Sequence, residues 1–335
     1  MTDADWLARA AELADAQVGR TAPNPAVGAV CVRDGRLLGE GAHLRAGGPH
    51  AEVNCLNACA EDPAGATLYV TLEPCSTTGR TPPCCDLIRA KRLGRVVIGC
   101  LDPNPRHAGR AVGLLRQAGI AVDVAEGPLA DRCRDLIAPF AKAIVTGLPY
   151  LRLKLAMTLD GFIADGVRAA RWVTGPQARD WVQRLRARVD AVMVGAGTVR
   201  DDHPSLQPHL PDAPLKWRVL VDRRTPIDSR DLDDRTLLAT RDLGYDGHDL
   251  TAMLRALCAK GVNDVLCEGG GTLAGALLDA GLVDELLVVY APKILGDPAA
   301  VRGLAIAPRP LSRALTLTPL ERLPLGPDTL LRLRP

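Results

Sequence analysis

Two short stretches of the sequence carry residue types that bind zinc. The first supplies the imidazole of His50 and the carboxylate of Glu52, and the second, further along the chain, supplies the thiols of Cys75 and Cys84. Zinc prefers nitrogen and sulfur ligands, and a catalytic zinc keeps three protein ligands and leaves its fourth position to water. The predicted ligands are therefore His50, Cys75 and Cys84, with Glu52 left over for another task.

Glu52 follows His50 by two positions, which brings its carboxylate near a metal-bound water without making it a ligand. Zinc lowers the pKa of that water and produces hydroxide at neutral pH. We expect the hydroxide to attack an amidine-like ring carbon while Glu52 moves the water proton to the departing amine. The order H-x-E then P-C-x-x-C is typical of zinc nucleobase deaminases. Here eight residues, not two, separate Cys75 from Cys84.

A structural zinc site, or a buried histidine beside unrelated thiols, is the alternative interpretation. A structural site normally recruits a fourth protein ligand. Cys85 is a candidate, but residues adjacent in the chain rarely reach one ion well. Because a structural site has no role for Glu52, the sequence favours catalytic zinc. The remaining cysteines lie in apolar patterns and are predicted to fill core positions: Cys31, Cys55, Cys59, Cys100, Cys133, Cys258 and Cys267.

Length and composition favour a two-domain cytoplasmic enzyme. A chain of 335 residues exceeds one typical domain. A net charge of +2 and only 3% aromatic residues argue against nucleic-acid binding. The N-terminus lacks the pattern of a signal peptide, and no apolar run is long enough to span a membrane. Ten cysteines without a secretory signal indicate reduced thiols in the cytoplasm.

Strand and helix patterns alternate through the first half, which predicts a layered α/β sandwich. Both ligand clusters fall where predicted helices begin, and the positive end of a helix favours thiolate over thiol. Residues 127–145 are predicted to form one helix that leads out of the first domain. Residues 146–149 are predicted to form the hinge.

In the second half, two predicted strands, 191–194 and 265–268, each run into a glycine-rich turn followed by a helix. Glycines let the backbone approach a phosphate, and the following helix N-terminus attracts the anion. Neither turn matches the G-x-G-x-x-G dinucleotide pattern. The residues alone therefore indicate only a plausible dinucleotide-phosphate site.

Taken together, the motifs resemble one family, the bifunctional riboflavin-biosynthesis deaminase–reductases, and the resemblance covers nearly the whole chain. It also accounts for the eight-residue cysteine spacing. The motifs that carry it are Thr21-Ala22-Pro23-Asn24-Pro25, His50-Ala51-Glu52, Thr71-Leu72-Glu73-Pro74-Cys75, Gly79-Arg80-Thr81-Pro82-Pro83-Cys84, Thr158-Leu159-Asp160-Gly161, Trp172-Val173-Thr174-Gly175, Gly197-Thr198-Val199, Asp201-Asp202 and Glu268-Gly269-Gly270.

The resemblance implies the fold and the reactions. It implies a cytidine-deaminase-like α/β/α sandwich at 1–146 acting as a zinc-dependent pyrimidine deaminase, followed by a dihydrofolate-reductase-like α/β domain at 149–335 acting as an NADPH-dependent reductase. The first would deaminate 2,5-diamino-6-ribosylamino-4(3H)-pyrimidinone 5′-phosphate, and the second would reduce the ribosyl group to ribityl. The expected partner is this small phosphorylated aminopyrimidine, with no nucleic acid and no membrane. A homo-oligomer is the default expectation.

Site residues follow from the resemblance by position. In the deaminase half the expected substrate contacts are Asn24, His43 and Arg80. In the reductase half the expected NADPH contacts are Ala156, Trp172, Thr198, Asp202, Gly270, Gly271 and Thr272. The expected substrate contacts there are Lys154, Arg186, Leu206 and Glu268. Without the resemblance, Trp172 is predicted to be a core aromatic residue and Arg186 a solvated helix charge.

Four positions depart from the family pattern. Thr77 replaces a histidine, Phe162 an arginine, Ala170 a serine and His209 a phosphate-binding arginine. Losing one bidentate arginine–phosphate contact costs about 1.5–3 kcal/mol when nothing replaces it. These departures motivate one alternative, a diverged paralogue that deaminates a related pyrimidine in a specialised pathway with an altered or inactive reductase. A second alternative is a non-catalytic zinc-stabilised module that binds a nucleotide, against which Glu52 argues.

Overall fold

The chain folds as two units, and each unit buries its own apolar residues. The computed structural model describes residues 1–77, 82–105, 107–167, 172–223 and 227–335. The chain divides into two units, Met1–Gly147 and Leu148–Pro335. Both units mix helices with strands, as the predicted α/β class requires. No helix in the described ranges is long and apolar enough to cross a membrane.

The first unit is built on a five-stranded sheet. The elements of this unit are α1 (Asp3–Asp15), β1 (Gly28–Arg33), β2 (Arg36–Ala42), α2 (Ala51–Asn57), β3 (Thr67–Leu72), α3 (Cys84–Ala90), β4 (Arg95–Cys100), α4 (Arg110–Gln117), β5 (Ala121–Val124), α5 (Pro128–Leu136) and α6 (Ala138–Thr146). The strand order is β2-β1-β3-β4-β5. Strand β1 runs antiparallel to both β2 and β3, whereas β3, β4 and β5 are parallel.

Helices cover both faces of this sheet. Helix α1 packs with α5, while α3 contacts both α2 and α4. Strands β3 and β4 are almost continuously buried because parallel strands covered on both faces expose neither set of side chains. His50 and Cys84 lie at the N-termini of α2 and α3, and Cys75 follows the end of β3. The packing of the sheet and helices therefore sets the positions of these three side chains.

The predicted single helix over 127–145 is wrong, because the structure divides it into α5 and α6. Ile137 ends α5 with φ −105° and ψ 5°, and Pro139 occupies the first turn of α6. Proline has no N–H to donate and its ring clashes with the carbonyl four residues earlier, so a helix cannot continue through it without distortion. Proline is tolerated in the first turn of a new helix, where it stands here.

The second unit contains an eight-stranded sheet. The elements of this unit are β6 (Tyr150–Thr158), β7 (Phe162–Ala164), α7 (Pro176–Arg188), β8 (Ala191–Gly195), α8 (Ala196–Asp202), β9 (Trp217–Val221), a 3₁₀ helix (Ser229–Asp231), β10 (Thr236–Leu238), α9 (Ala239–Leu243), α10 (Leu250–Ala259), β11 (Asp264–Cys267), α11 (Gly271–Asp279), β12 (Glu285–Ala291), β13 (Val301–Arg302), a 3₁₀ helix (Leu311–Arg313), β14 (Thr318–Leu325) and β15 (Asp328–Arg334). The order is β10-β9-β8-β11-β6-β12-β15-β14.

The central strand β6 assigns its residues to the two faces of this sheet. Leu151, Leu153 and Leu155 are buried in a core with α10 and α11. Because side chains alternate along a strand, Lys154 and Ala156 point to the opposite face. Helices α7 and α8 contribute to the core on that face. Polar residues of β6 and α7 therefore share one side of the sheet.

Close packing of β2 against α2 gives a testable prediction. A Cβ added to Gly41 would lie 2.5 Å from the Cys55 backbone nitrogen and 2.8 Å from the Asn54 carbonyl carbon. We expect Gly41→Ala to destabilise the first unit by about 1–3 kcal/mol because backbone must move. Gly113→Ala is the matched control, since nothing beyond its chain neighbours and its own helix backbone lies within 4 Å of the added Cβ. This control should stabilise α4 by about 0.5–1 kcal/mol.

The measurement is urea denaturation of the full-length chain, with hydrogen exchange used to assign the transition to residues 1–147. Equal stability of Gly41→Ala and the natural protein would show that α2 can shift at little cost. In that case the close approach of Gly41 to Asn54 and Cys55 would not hold α2 in position against β2.

Candidate active sites

His50, Cys75 and Cys84 come together as a potential metal site. The Nδ1 atom of His50 lies 3.6 Å from the Cys75 Sγ and 3.4 Å from the Cys84 Sγ. All three ligand atoms lie within 4.8 Å of one another. Zinc bonds of about 2.0 Å to nitrogen and 2.3 Å to sulfur at tetrahedral angles place such atoms about 3.6 Å apart. The donor set and its spacing therefore fit one zinc ion.

Three different elements supply these side chains. His50 is the N-cap residue of α2, and Cys84 is the first residue of α3. Cys75 follows the end of β3, and its sulfur accepts a hydrogen bond from the Cys84 backbone N–H at 3.2 Å. Backbone N–H groups at a helix start favour negative charge on such a sulfur. The predicted placement of the ligands at helix N-termini agrees with these contacts.

The two thiols differ in acidity. A hydrogen bond from Cys84 and the neighbouring His50 imidazole lower the pKa of Cys75 to about 4, against the effect of its burial. The pKa of Cys84 is raised by its hydrogen bond to Cys75 and by burial. One sulfur is thus poised as thiolate, and a bound cation would draw the proton from the other.

Glu52 lies beside the three ligand residues but is not one of them. It occupies the first turn of α2 and is only 4% exposed. Burial raises the pKa of its carboxyl group, and Cys84 hydrogen-bonds to it. A buried carboxyl with a raised pKa holds a proton more readily than an exposed carboxyl does, which suits a group that accepts a proton and then passes it on.

A cavity of about 210 Å³ opens beside these residues. Its lining includes His50, Glu52, Cys75 and two of the predicted substrate residues, Asn24 and His43. The structure therefore brings the polar residues of three separate sequence motifs to one cavity. Convergent polar groups with perturbed pKa values in one cavity mark a candidate small-molecule site.

The protonation state of His43 follows from its partners. Its Nδ1 lies 2.9 Å from the Pro49 carbonyl oxygen, and its Nε2 lies 3.0 Å from the Asn24 side-chain nitrogen. A carbonyl accepts and an amide NH₂ donates, so Nδ1 carries the proton and Nε2 accepts. Burial lowers the pKa of His43, which keeps the ring neutral. His43 thus orients Asn24 at the cavity.

Other predicted residues of this half have different outcomes. Arg80 lies outside the described residues, and so does the rest of 78–81. Thr77 is half-buried. Cys85 belongs to the hydrophobic core, where its thiol faces the Pro74 carbonyl oxygen at 3.9 Å, and it is not part of the potential metal group.

All ten cysteines lie in the described part of the chain, and all are free thiols. Of the seven predicted to fill core positions, Cys59 and Cys258 are half-buried and the others are buried.

Sequence reasoning missed three residues that line the cavity: Glu73, Asp102 and Phe140. Asp102 follows the end of β4, which lies parallel and next to β3. Ligands gather at the carboxyl ends of adjacent parallel strands, so its position after a predicted strand was a usable signal. No comparable signal marks Phe140, because only the tertiary fold brings α6 to the cavity.

Three of the predicted substrate residues of the second unit, Lys154, Arg186 and Glu268, lie close together. Arg186 binds Glu268 through two hydrogen bonds, Nε to Oε1 at 2.5 Å and Nη2 to Oε2 at 2.9 Å. Burial lowers the pKa of Lys154, while the Glu268 carboxylate opposes that shift. These residues form a partly buried charged cluster on the α7 face of the sheet. Leu206, the fourth, is 2% exposed and packs in the core on that face.

The two glycine-rich turns of this unit meet. Strands β8 and β11 are parallel neighbours, and the Gly195 N–H donates to the Gly269 carbonyl oxygen at 3.2 Å. Gly269 and Gly270 have φ of 95° and 89°, a region that favours glycine. A Cβ on Gly270 would lie 3.4 Å from the Thr198 hydroxyl oxygen. Backbone N–H groups at the starts of α8 and α11 thus adjoin one another.

The remaining predicted cofactor residues lie on several elements of the second unit. Gly271 and Thr272 open α11, and Asp202 ends α8. Ala156 lies on β6. Trp172 is 55% exposed, and the Arg179 guanidinium lies 5.2 Å from its ring centroid.

Two interpretations made from the residues alone are wrong. Trp172 is not a core aromatic residue, since more than half of it is exposed. Arg186 is not a solvated helix charge, because its side chain is only 12% exposed and is paired with Glu268.

The departures from the family pattern lie at separate places. Phe162 is buried on β7 beneath the Arg302 guanidinium, 5.6 Å from its ring centroid. The His209 backbone N–H donates to the Gln183 side chain at 2.8 Å, and its Nε2 lies 3.0 Å from the Ser205 hydroxyl. Ala170 falls outside the described residues.

Two known protein families match separate parts of the chain, one within each of the two units. The cytidine and deoxycytidylate deaminase zinc-binding region matches residues 1–100, and the RibD C-terminal domain matches residues 149–331. These matches support the predicted fold class, a deaminase-like domain followed by a reductase domain. Together they cover most of the chain.

Individual relatives extend over nearly the full length. The riboflavin biosynthesis protein RibD of Escherichia coli is 43% identical over 92% of this chain and 92% of its own. A RibD structure from Acinetobacter baumannii has a TM-score of 0.90 at 38% identity, covering 99% of this chain and 98% of that one.

The Thermotoga maritima diaminohydroxyphosphoribosylaminopyrimidine deaminase/5-amino-6-(5-phosphoribosylamino)uracil reductase has a TM-score of 0.89 at 34% identity, covering 99% of this chain and 98% of that one. Nothing in these comparisons favours the paralogue or the non-catalytic module. The chain belongs to the RibD family of bifunctional riboflavin-biosynthesis deaminase–reductases.

Proposed function

We propose that the first unit deaminates 2,5-diamino-6-ribosylamino-4(3H)-pyrimidinone 5′-phosphate and that the second reduces the ribosyl group of the product to ribityl with NADPH. The proposed domains are 1–146 for the zinc-dependent deaminase and 149–335 for the reductase, working in the cytoplasm. The main support is the grouping of His50, Cys75 and Cys84 beside the buried Glu52. Family membership supplies the substrate class and the second reaction.

The deaminase step divides its tasks among residues of the cavity. His50, Cys75 and Cys84 would hold the zinc, which would supply an acidified water. Glu52 would accept a proton from the attacking water and pass one to the departing amine. Ammonia leaves and a ring carbonyl remains. Asn24, oriented by neutral His43, is placed to hold the base, and Arg80 is assigned the phosphate.

In the reductase step NADPH supplies the hydride to the ribose C1′, and this chain supplies position and charge. The junction of Thr198 with the glycine turn before α11 is the proposed place for the cofactor phosphates. Lys154 and the Arg186–Glu268 pair are proposed to face the opened sugar. Ala156, Trp172 and Asp202 complete the proposed cofactor contacts.

The test is mass spectrometry of the phosphorylated diaminopyrimidine after incubation with the protein, with and without NADPH. We expect exchange of an amino group for oxygen in both tubes and a ribityl product only with NADPH. Glu52→Gln should lower the deamination rate by about 10²–10⁴-fold, because the amide cannot carry the proton. It should leave reduction of already deaminated substrate unchanged.

The matched control is Glu126→Gln, which removes an exposed carboxylate from the same unit. Deamination without any reduction would mean that the second unit has lost its activity. If Glu52→Gln kept the full deamination rate, the proton-shuttle role would be wrong.

Zinc content gives a second prediction. We expect one zinc per chain by atomic absorption, and Cys75→Ser should lose most of it because a hydroxyl is a far poorer zinc ligand than a thiolate. Cys59→Ser is the control, since Cys59 lies outside the potential metal group and its bond to the Cys55 carbonyl at 3.5 Å can also be made by serine. Chelation should abolish deamination and spare reduction. Full zinc in Cys75→Ser would contradict the ligand assignment.

The charged cluster of the second unit gives a third prediction. Arg186→Lys cannot form the two parallel hydrogen bonds to Glu268, so we expect the KM of the reductase substrate to rise about tenfold. Arg184→Lys, an exposed position on the same helix, should change nothing. Steady-state oxidation of NADPH by both variants measures this. Identical KM values for the two variants would remove Arg186 from the proposed substrate site.

A further inference from the structure

We propose that Glu73 is a positioning residue of the deaminase cavity, which ties the chain beside the proposed zinc ligand Cys75 to Asp102, another residue of the cavity lining. This inference rests on the proposed deaminase function. Glu73 is neither a predicted ligand nor a predicted substrate contact. Its place in the fold indicates a task that its sequence position alone did not suggest.

Three backbone N–H groups converge on the Glu73 carboxylate. Its Oε2 accepts from the Asp102 N–H at 3.0 Å and the Gly109 N–H at 2.9 Å, and its Oε1 accepts from the Ala111 N–H at 2.9 Å. The residue is only 5% exposed. A buried carboxylate is costly unless such donors compensate it, and these three donors do so.

Two of those donors belong to the start of α4, which has no cap of its own. Its N-cap residue is Gly109, which has no side chain and adopts φ 73°. The first N–H groups of a helix lack partners within the helix and attract negative charge. Glu73 supplies that charge from the end of β3, so α4 depends on a residue distant in sequence for its N-terminal hydrogen bonds.

The backbone of Glu73 is also anchored. Its N–H donates to the Cys100 carbonyl oxygen at 2.9 Å, which joins the ends of the parallel strands β3 and β4. Two residues later the chain presents Cys75 to the potential zinc site. The side chain and backbone of one residue therefore fix the ligand strand and the segment that begins at Asp102.

Asp102 is the part of that segment that reaches the cavity. Both Glu73 and Asp102 line it, together with Asn24 and His50. Because Glu73 holds the Asp102 backbone, its removal would release one cavity wall while leaving the three ligand side chains in place. The expected consequence is weaker substrate binding rather than loss of zinc.

The experiment compares Glu73→Gln with the control Glu126→Gln in the full-length chain. Glutamine keeps the shape of Glu73 but replaces one accepting oxygen with a donating NH₂, which must face an N–H group. We expect the deaminase KM to rise about tenfold, or about 1.4 kcal/mol, with kcat within about threefold of the natural value. Zinc content and reductase kinetics should stay unchanged.

A second measurement follows amide hydrogen exchange at Asp102, Gly109 and Ala111 by NMR. In Glu73→Gln these three amides should exchange about tenfold faster, while amides of β1 and β2 keep their rates. Glu126→Gln should alter neither set. Faster exchange throughout the unit with unchanged KM would indicate a general stabilising role and overturn the proposal.

The two measurements separate this inference from the proposed function. If the natural protein shows no deamination, the proposed function fails and the exchange rates still decide whether Glu73 holds these amides. If deamination occurs but Glu73→Gln changes neither KM nor local exchange, only the positioning role is wrong.

Discussion

The first unit depends on bringing one imidazole nitrogen and two sulfurs within coordination distance of a common point. His50 and Cys84 stand at helix starts, and Cys75 follows a strand, so no local segment carries all three. Their separations of 3.4 and 3.6 Å exist only because the sheet and its covering helices are packed as they are. The two sulfurs lie within 4.8 Å of each other, where two thiolates would repel, so a cation or a shared proton is needed to hold them together.

Burial explains how the same neighbourhood does chemistry. Glu52 and His43 are withdrawn from water, which raises the pKa of the carboxyl group and lowers that of the imidazole. His43 therefore stays neutral as a fixed acceptor toward Asn24, and Glu52 holds a proton more readily than an exposed carboxyl would. In the second unit the buried groups are charged instead of neutral. Arg186 and Glu268 remain charged and partly buried because each compensates the other.

The metal-binding pattern was predictable because it consists of zinc-binding residue types at short, characteristic spacings in the sequence. His50 and Glu52 share one helix turn, and no tertiary contact is needed to suggest their roles. Asp102 was not predicted although its position after a predicted strand was a usable signal, and Phe140 was not predicted because only the path of the chain after α5 brings it to the cavity. The sequence pattern of Arg186 predicted a solvated helix charge, which is wrong because Glu268 at the end of another strand binds it.

The independence of the two cores has an evolutionary consequence. Each unit buries its own apolar residues, as the separate clusters around Leu68 and Leu153 show. A substitution that weakens one half need not unfold the other, so selection can act on the two halves at different rates. Departures such as His209 can then accumulate in one half of the gene while the other half keeps the three predicted zinc ligands. The same division would allow the gene to be split or fused without redesign of either core.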